Sequence, residues 1–366
     1  MKNKRLFALV GSILLILVLT LPFLAACSEP APTPAPTPAP APAPAPTFTP
    51  QVIKSLYMGS EMGAMNTLVL KPYYEAVTAA TGGRVVFEEH YGMTLLAPPN
   101  FYDGVTQGVV ELAYMPTAYN PGRFRRTEML SLPNMYPDRV TGWKIFNDVL
   151  KEAAYKDFSE VHAIYLDCSG PRQIWTTTKP MRTLDDLKGL RIRHVTVVQQ
   201  KALEILGAVP TSIKKGEQYV ALERGLLDGS LEQGSTVDPF GFQDVLHYAT
   251  NINFGGVGTM IAYNKGAWEK LGPDIQGIME KLHEDWMIEG FAEVEMAQDM
   301  EMQQKFVSEL GLEVIDLSAE DLAKWNAIVA PMYQEWATVL DSEGKDGTEM
   351  LNAIRKAQEK HGVTIK

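Results

Sequence analysis

Thr183-Leu184-Asp185-Asp186-Leu187-Lys188-Gly189-Leu190-Arg191-Ile192-Arg193, then Leu206-Gly207-Ala208-Val209-Pro210-Thr211, then Gly216-Glu217-Gln218-Tyr219-Val220-Ala221-Leu222-Glu223-Arg224-Gly225-Leu226-Leu227-Asp228-Gly229, is the stretch that decides the fold. Thr183 places an N-cap oxygen three residues before the Asp186 carboxylate, the spacing of a capping box, so a short helical turn should end at Gly189. A strand over 190–194 follows at once. A helix over 197–206 closed by Gly207, a strand over 209–211, a helix over 217–223 and a turn at Asp228-Gly229 complete the pattern. Strands that alternate with helices in this way build an α/β lobe on a largely parallel sheet.

Upstream, 161–167 reads as a strand, Ser169-Gly170-Pro171 as a turn that crosses between lobes, and 172–178 as the next strand. Further back, 51–59 is a strand, 64–81 an amphipathic helix stopped by Gly82-Gly83, and 84–91 a second strand. A helix over 100–108 and a strand over 111–115 make this first lobe doubly wound. Downstream, the apolar strand 257–264 returns to the first lobe. Residues 274–310 form one long helical pattern that, at ~1.5 Å per residue, reaches across both lobes. A strand over 313–317 and Ser318-Ala319-Glu320-Asp321, the cap of a helix carrying Trp325, Tyr333 and Trp336, close the chain. The expected boundaries are lobe one over 51–169 with a return near 257, lobe two over 170–256, and C-terminal helices over 274–366 packing on both.

The first residues follow an export order: Lys2, Lys4 and Arg5, an apolar run over 6–21, then Leu24-Ala25-Ala26-Cys27. Small residues directly before a cysteine resemble a bacterial lipobox, which makes 1–27 a signal and Cys27 a lipidated N-terminus. A retained anchor and an ordinary cleaved signal are the alternatives. Residues 28–50 are almost entirely Ala, Pro and Thr, a linker that prefers extended polyproline II and reaches up to ~70 Å. From Gln51 to Lys366 the chain is long enough for two α/β lobes sharing a core. With 33 Lys and Arg against 44 Asp and Glu, the net charge is −11, which argues against a nucleic-acid partner. Any anion site must therefore gather its positive charge locally. Cys168 is the one other cysteine, so a lipidated Cys27 leaves no intrachain disulfide, and Cys168 reads as a buried structural thiol.

Catalytic patterns are missing: no Gly-x-Ser-x-Gly elbow, no P-loop, no His-Glu-x-x-His, no paired cysteine ligands. His162, His247 and His283 lack metal-ligand spacing, and no cofactor or metal is expected. Capping accounts for Asp185-Asp186. Gly255-Gly256-x-Gly258 opens no helix, so a phosphate cradle is not expected there.

The three quoted blocks, in order and spacing, resemble the DctP-type solute-binding proteins of tripartite ATP-independent periplasmic (TRAP) transporters. Thr81-Gly82-Gly83-Arg84, Gly108-Val109-Val110-Glu111-Leu112-Ala113 and Leu132-Pro133 extend the resemblance to the first lobe. It implies an α/β, two-lobed, periplasmic-binding-protein-like fold, each lobe a mainly parallel sheet with flanking helices, and long C-terminal helices spanning the lobes.

It also implies an arginine on the strand of Arg193 that pairs a solute carboxylate. Arg193 ends its strand, at the sheet edge where open α/β sheets bind ligands, and a guanidinium grips a carboxylate with two parallel hydrogen bonds. Arg172 matches a second family arginine that assists the ligand, or else forms a structural ion pair. Trp175 is a pocket wall or an alternating core aromatic. Tyr91 and Tyr119, after lobe-one strands, and Glu61 in the loop after the first strand are further pocket candidates.

The resemblance departs in two places. Ser230-Leu231-Glu232-Gln233 stands where many members have Gln-Glu-Asn-Pro, and Lys215 stands where many have an aromatic. Glu232 near a solute carboxylate repels it unless paired, so an ion pair with Lys215, or a solute bearing an amine or hydroxyl, is expected. The implied function is a lipid-anchored extracytoplasmic receptor that captures a small organic acid for the small and large membrane subunits of a TRAP transporter, with no catalysis. A binding protein of an ATP-driven importer and an exported enzyme on the same fold are the alternatives.

Overall fold

The computed structural model describes residues 48–63, 65–286 and 292–363, and the side chains of these except 292–295. Cys27, the 1–27 signal and most of the 28–50 linker lie outside the described residues. The strands are β1 (Gln51–Tyr57), β2 (Val85–Tyr91), β3 (Leu112–Pro116), β4 (Val161–Cys168), β5 (Gln173–Thr176), β6 (Arg191–Arg193), β7 (Val209–Thr211), β8 (Gly229–Glu232), β9 (Tyr248–Asn251), β10 (Gly258–Asn264) and β11 (Glu313–Asp316). They form two sheets, one per lobe, ordered β2-β1-β3-β10-β4 and β11-β9-β5-β8-β6-β7.

Both sheets are mixed, with one reversed strand each. In the first, β10 runs antiparallel to both β3 and β4. In the second, β5 runs antiparallel to both β8 and β9, while β6 is parallel to β7 and β8. The reversal follows from the crossings. A chain leaving one sheet at its carboxyl edge and passing straight into the neighbouring sheet must run through it backwards. Thus β4 leads through Ser169-Gly170-Pro171-Arg172 into β5, and β9 leads back into β10.

The two crossings are stitched together: the Ser169 amide donates to Val257 O (3.0 Å), the Arg172 amide to Gly255 O (3.0 Å) and the Phe254 amide to Arg172 O (3.0 Å). Gly255 sits in the left-handed region at φ 72°, where a side chain would also collide with the Ser131 carbonyl. At Gly256 a Cβ would strike the Tyr136 hydroxyl. Close approach of backbone, not phosphate binding, explains these glycines.

The capping box is present: the Thr183 amide and hydroxyl both donate to Asp186 Oδ2 (2.9 and 3.0 Å) around a single turn over Leu184–Leu187. Asp228 then holds the start of β6, accepting from Arg191 at Nε (2.9 Å), Nη2 (2.8 Å) and the backbone amide (2.8 Å). That pairing fixes the register in which Arg193 ends the strand.

The 274–310 pattern is helical wherever it is described, over 274–286 and 292–310, and residues 287–291 lie outside the described residues. One helix covers Lys265–Trp286, bent where Gly272 adopts φ 76°, and packs on β4 and β10. The next, Ala292–Leu310, contacts both the helix Arg139–Glu152 of lobe one and the turn Gly234–Val237 of lobe two. Here the Ser235 amide donates to Asp299 Oδ1 (2.6 Å), and Phe306 lies edge-on to Trp175. This second helix is the bridge. The last two helices, Ala319–Ser342 and Gly347–Lys360, pack on each other and on lobe one, where Tyr333 donates to Pro133 O (2.9 Å). Among the described residues no helix is long and apolar enough to cross a membrane.

His283 is buried in lobe one between Tyr73 and Tyr165, with ring centroids 4.9 and 5.0 Å away, and neither ring nitrogen has a hydrogen-bond partner. Burial pulls its pKa from 6.5 down to about 3. Between those values the unfolded chain binds a proton that the folded chain refuses, so stability is full above pH 6.5 and is lost as pH falls toward 3. The loss attributable to this ring is on the order of several kcal/mol. His283→Leu should therefore flatten the fall in melting temperature between pH 6.5 and 4 relative to the parent, measured by thermal denaturation across that range. An equally steep fall in the variant would place the acid sensitivity elsewhere.

Candidate functional site

Strand direction places the site. The carboxyl ends of β6, β7 and β8 open onto one edge of the second sheet, and because β5 is reversed, its amino end lies at that same edge. Arg193 at the end of β6, Glu232 at the end of β8 and Arg172 just before β5 therefore converge. Lys215 joins them from the turn after β7. Across a cavity of about 430 Å³ stand residues from the matching edge of the first sheet, among them Tyr57, Tyr114, Tyr119, Asp167 and Thr259.

Glu232 is fully buried and receives a full set of donors. Lys215 Nζ lies 3.0 and 2.9 Å from its two oxygens, Gln218 Nε2 donates at 2.7 Å, Ser230 Oγ at 2.8 Å and Thr236 Oγ1 at 2.7 Å. Arg172 Nη1 and Arg193 Nη1 approach to 3.5 and 3.7 Å. Burial alone would raise the carboxyl pKa, but Lys215, Arg172 and Arg193 outweigh it and hold it at about 2. Lys215 is pulled the other way, to about 8: burial and repulsion from both arginines outweigh the attraction of Glu232. Its ammonium lies over the rings of Phe240 and Phe242, 4.7 and 4.4 Å from their centroids, which lessens the cost of desolvation. Burial also lowers the Arg193 pKa. A guanidinium stays charged at neutral pH all the same.

The facing wall carries a second buried pair. Arg139 Nη2 lies 3.2 Å from each oxygen of Asp167, and Tyr114 donates its hydroxyl to the same carboxylate. Burial raises the Asp167 pKa while Arg139 opposes the rise. This wall is thus close to neutral, and the excess positive charge belongs to Arg172, Arg193 and Lys215.

Of the residues singled out in the sequence, Arg172, Arg193, Lys215 and Tyr119 line the cavity and Glu232 lies directly behind it. Trp175 does not line it. That ring faces the other side of β5, fully buried against Phe306 in the lobe-two core, where strand alternation puts it. Tyr91 bonds Glu89 at the end of edge strand β2, and Glu61 lies on an exposed turn; neither lines the cavity. Sequence reasoning missed Arg139, Asp167, Tyr57 and Tyr114. The available signal was a lone carboxylate near a strand end: Asp167 sits one residue before the end of a mostly apolar strand. Among the described residues no cluster of His, Cys, Asp and Glu could hold a metal ion.

The sequence pattern of the bacterial extracellular solute-binding proteins, family 7, matches residues 63–338. The C4-dicarboxylate-binding periplasmic protein DctP of Rhodobacter capsulatus is 28% identical over 189 residues, 50% of this chain and 54% of that protein, so this match spans about half of its length. The C4-dicarboxylate-binding protein DctB of Bacillus subtilis is 22% identical, over 78% of this chain and 83% of that one. Among solved structures, a TRAP solute-binding protein from Rhodoferax ferrireducens in complex with benzoate superposes with a TM-score of 0.77 at 23% identity, covering 85% of this chain and 98% of that one. A marine metagenome TRAP solute-binding protein with 3-hydroxybenzoate gives 0.79 at 22% identity, covering 86% and 99%.

The geometry of Glu232 makes a thermodynamic demand. Glu232→Gln leaves Lys215, Arg172 and Arg193 without their shared anion and should lower unfolding free energy by about 3–5 kcal/mol. Removing both partners, as Lys215→Met with Glu232→Gln, should cost clearly less than the sum of the two single changes. Urea denaturation of the parent, both single variants and the double variant measures the coupling. Additive losses would mean that the pair is not a unit.

Proposed function

Because the chain belongs to the bacterial extracellular solute-binding proteins of family 7, of the DctP type, we propose that it captures a small organic acid outside the cell membrane and hands it to the small and large membrane subunits of a TRAP transporter. The observation that carries this reading is the cavity between the two sheet edges, where Arg172, Arg193 and Lys215 exceed the one carboxylate set among them. An acidic chain that gathers cations at one buried place has built an anion site.

In this reading the solute carboxylate is gripped by Arg193, with Arg172 beside it and Tyr119 reaching it from the opposite lobe. A ligand that touches both sheet edges favours their approach, since it shifts the hinge only through contacts made to both sides. The lobes correspond to 51–169 with the return near 257 and to 170–256, the paired crossings acting as the hinge and helix Ala292–Leu310 as the brace. The protein performs no catalysis; it is a receptor whose closed form is read by the membrane subunits. Lipidated Cys27 and the Ala/Pro-rich linker keep it at the membrane while letting the lobes reach those subunits.

A thermal-shift panel of mono-, di-, keto-, aromatic and sugar acids tests the reading, because a ligand at 100 times its dissociation constant adds about 2.7 kcal/mol of stability. At least one acid should raise the melting temperature, without product formation. Arg193→Ala should then weaken binding of that acid by about 2–5 kcal/mol, roughly thirty- to several-thousandfold, with Arg193→Lys recovering only part because it lacks the planar fork. Calorimetric titration reads both, and binding of Arg193→Ala within threefold of the parent would make this arginine structural. For the anchor, Cys27→Ser should release the exported protein from the membrane fraction with its acid affinity unchanged; retention in that fraction would reject the lipid.

A further inference from the structure

The charged side chains at the cavity differ in how fully the protein has already used them. Arg139 is shared with Asp167, 3.2 Å from each oxygen, and Lys215 with Glu232, 2.9 and 3.0 Å from its oxygens. Arg172 and Arg193 come no nearer than 3.5 and 3.7 Å to Glu232. Their shorter bonds go to backbone carbonyls, Leu231 O at 2.9 Å and Ile213 O at 3.3 Å, and the buried Nε of Arg172 has no partner. Among the described residues these are the two buried cations at the cavity whose contact with a protein carboxylate is a long one, 3.5 and 3.7 Å against 2.9–3.2 Å for Lys215 and Arg139.

Among the described residues, the remaining basic side chains of the wall do not add a second concentration of positive charge. His194 is held below its ordinary pKa by burial and by the nearby Arg193, so it is neutral near pH 7. Lys214 is exposed at the rim, where solvent screens it. Tyr57, Met58, Met65, Tyr119, Phe240 and Val257 supply an apolar and aromatic lining.

Resting on the organic-acid reading above, we infer that the cavity takes a solute with one carboxylate and an otherwise uncharged body, and that Glu232 is the residue that turns away a second acid group. Arg172 and Arg193 form a single anion place. Glu232 acts as a carboxylate supplied by the protein itself, and it engages the ammonium that a dicarboxylate would otherwise claim. A second carboxylate of the solute would have to lose water beside Glu232 or beside Asp167, each a like charge, and discrimination by unfavourable contact follows. The specificity departs from that named for the Rhodobacter and Bacillus relatives, which are C4-dicarboxylate-binding proteins.

Calorimetric titration at pH 7 with acids paired on one skeleton tests this: butyrate with succinate, 3-hydroxybutyrate with malate, benzoate with isophthalate, glucuronate with glucarate. The tightest binder should be a monocarboxylate, and its partner with the added carboxylate should bind at least tenfold more weakly. A dicarboxylate as the tightest binder, or parity within threefold, overturns the inference and leaves the organic-acid reading standing. Binding of no acid in any pair overturns both. Glu232→Gln frees Lys215 and should narrow the gap between the paired acids at least tenfold; an unchanged ratio in the folded variant removes Glu232 from the role. Should that variant not fold, Glu232→Asp, which keeps the charge but shortens its reach to Lys215, carries the same expectation in smaller measure, and the preference of the parent decides the solute class.

Discussion

A carboxylate with no exposed surface, set among Lys215, Arg172 and Arg193, is the constraint on which the rest of this architecture depends. Cations cannot be packed this closely away from water without an anion, because desolvation and mutual repulsion both oppose it. Glu232 resolves the conflict, and the demand it makes is geometric. Its oxygens need donors from several directions, and β8, the turn after β7, the helix carrying Gln218 and the turn Gly234–Val237 each supply one. The elements of lobe two are thereby held around one point, and under the proposed function the guanidinium groups are oriented before any solute arrives. Such prior orientation removes part of the entropy that binding must otherwise lose.

The same edge explains the path of the chain. For a binding site to face a partner sheet, both sheets must present their carboxyl edges to each other, and direct crossings between those edges reverse the strands they enter. Arg172 exists at the site only because β5 is such a strand. Its backbone also hydrogen-bonds with Phe254 and Gly255 on the returning segment, so the residue that helps shape the anion place is built into the crossing itself. Helix Ala292–Leu310 ties the two lobes together, since it rests on lobe one while Asp299 accepts from the Ser235 amide of lobe two, three residues beyond Glu232.

Local chemistry was legible in the sequence and strand polarity was not. The Thr183–Asp186 box, the stop at Gly189 and the placement of Arg193 follow from spacings of a few residues, and the structure has them. Reversal of β5 and β10 depends on where the chain has come from, which no window of neighbouring residues records. Trp175 illustrates the limit of alternation: period two says that it faces away from its neighbours but does not say which face is the core. Arg139 and Asp167 escaped because they are 28 positions apart and meet only through the fold.

Lys215 and Glu232 stand at two positions where the chain departs from the pattern of the family it resembles, and the structure makes those departures one event. A lysine in this place without Glu232 would face two guanidinium groups with no protein anion set among them. A glutamate without Lys215 would keep two arginines, but at 3.5 and 3.7 Å, while filling the anion place they form. Together the two side chains neutralise each other at 2.9 Å and leave the arginines available. Carrying a site over from relatives one residue at a time would score Glu232 as a defect and Lys215 as an anomaly. Read as a pair, they neutralise each other, and under the proposed function they leave the two arginines for a solute carboxylate while disfavouring a second acid group.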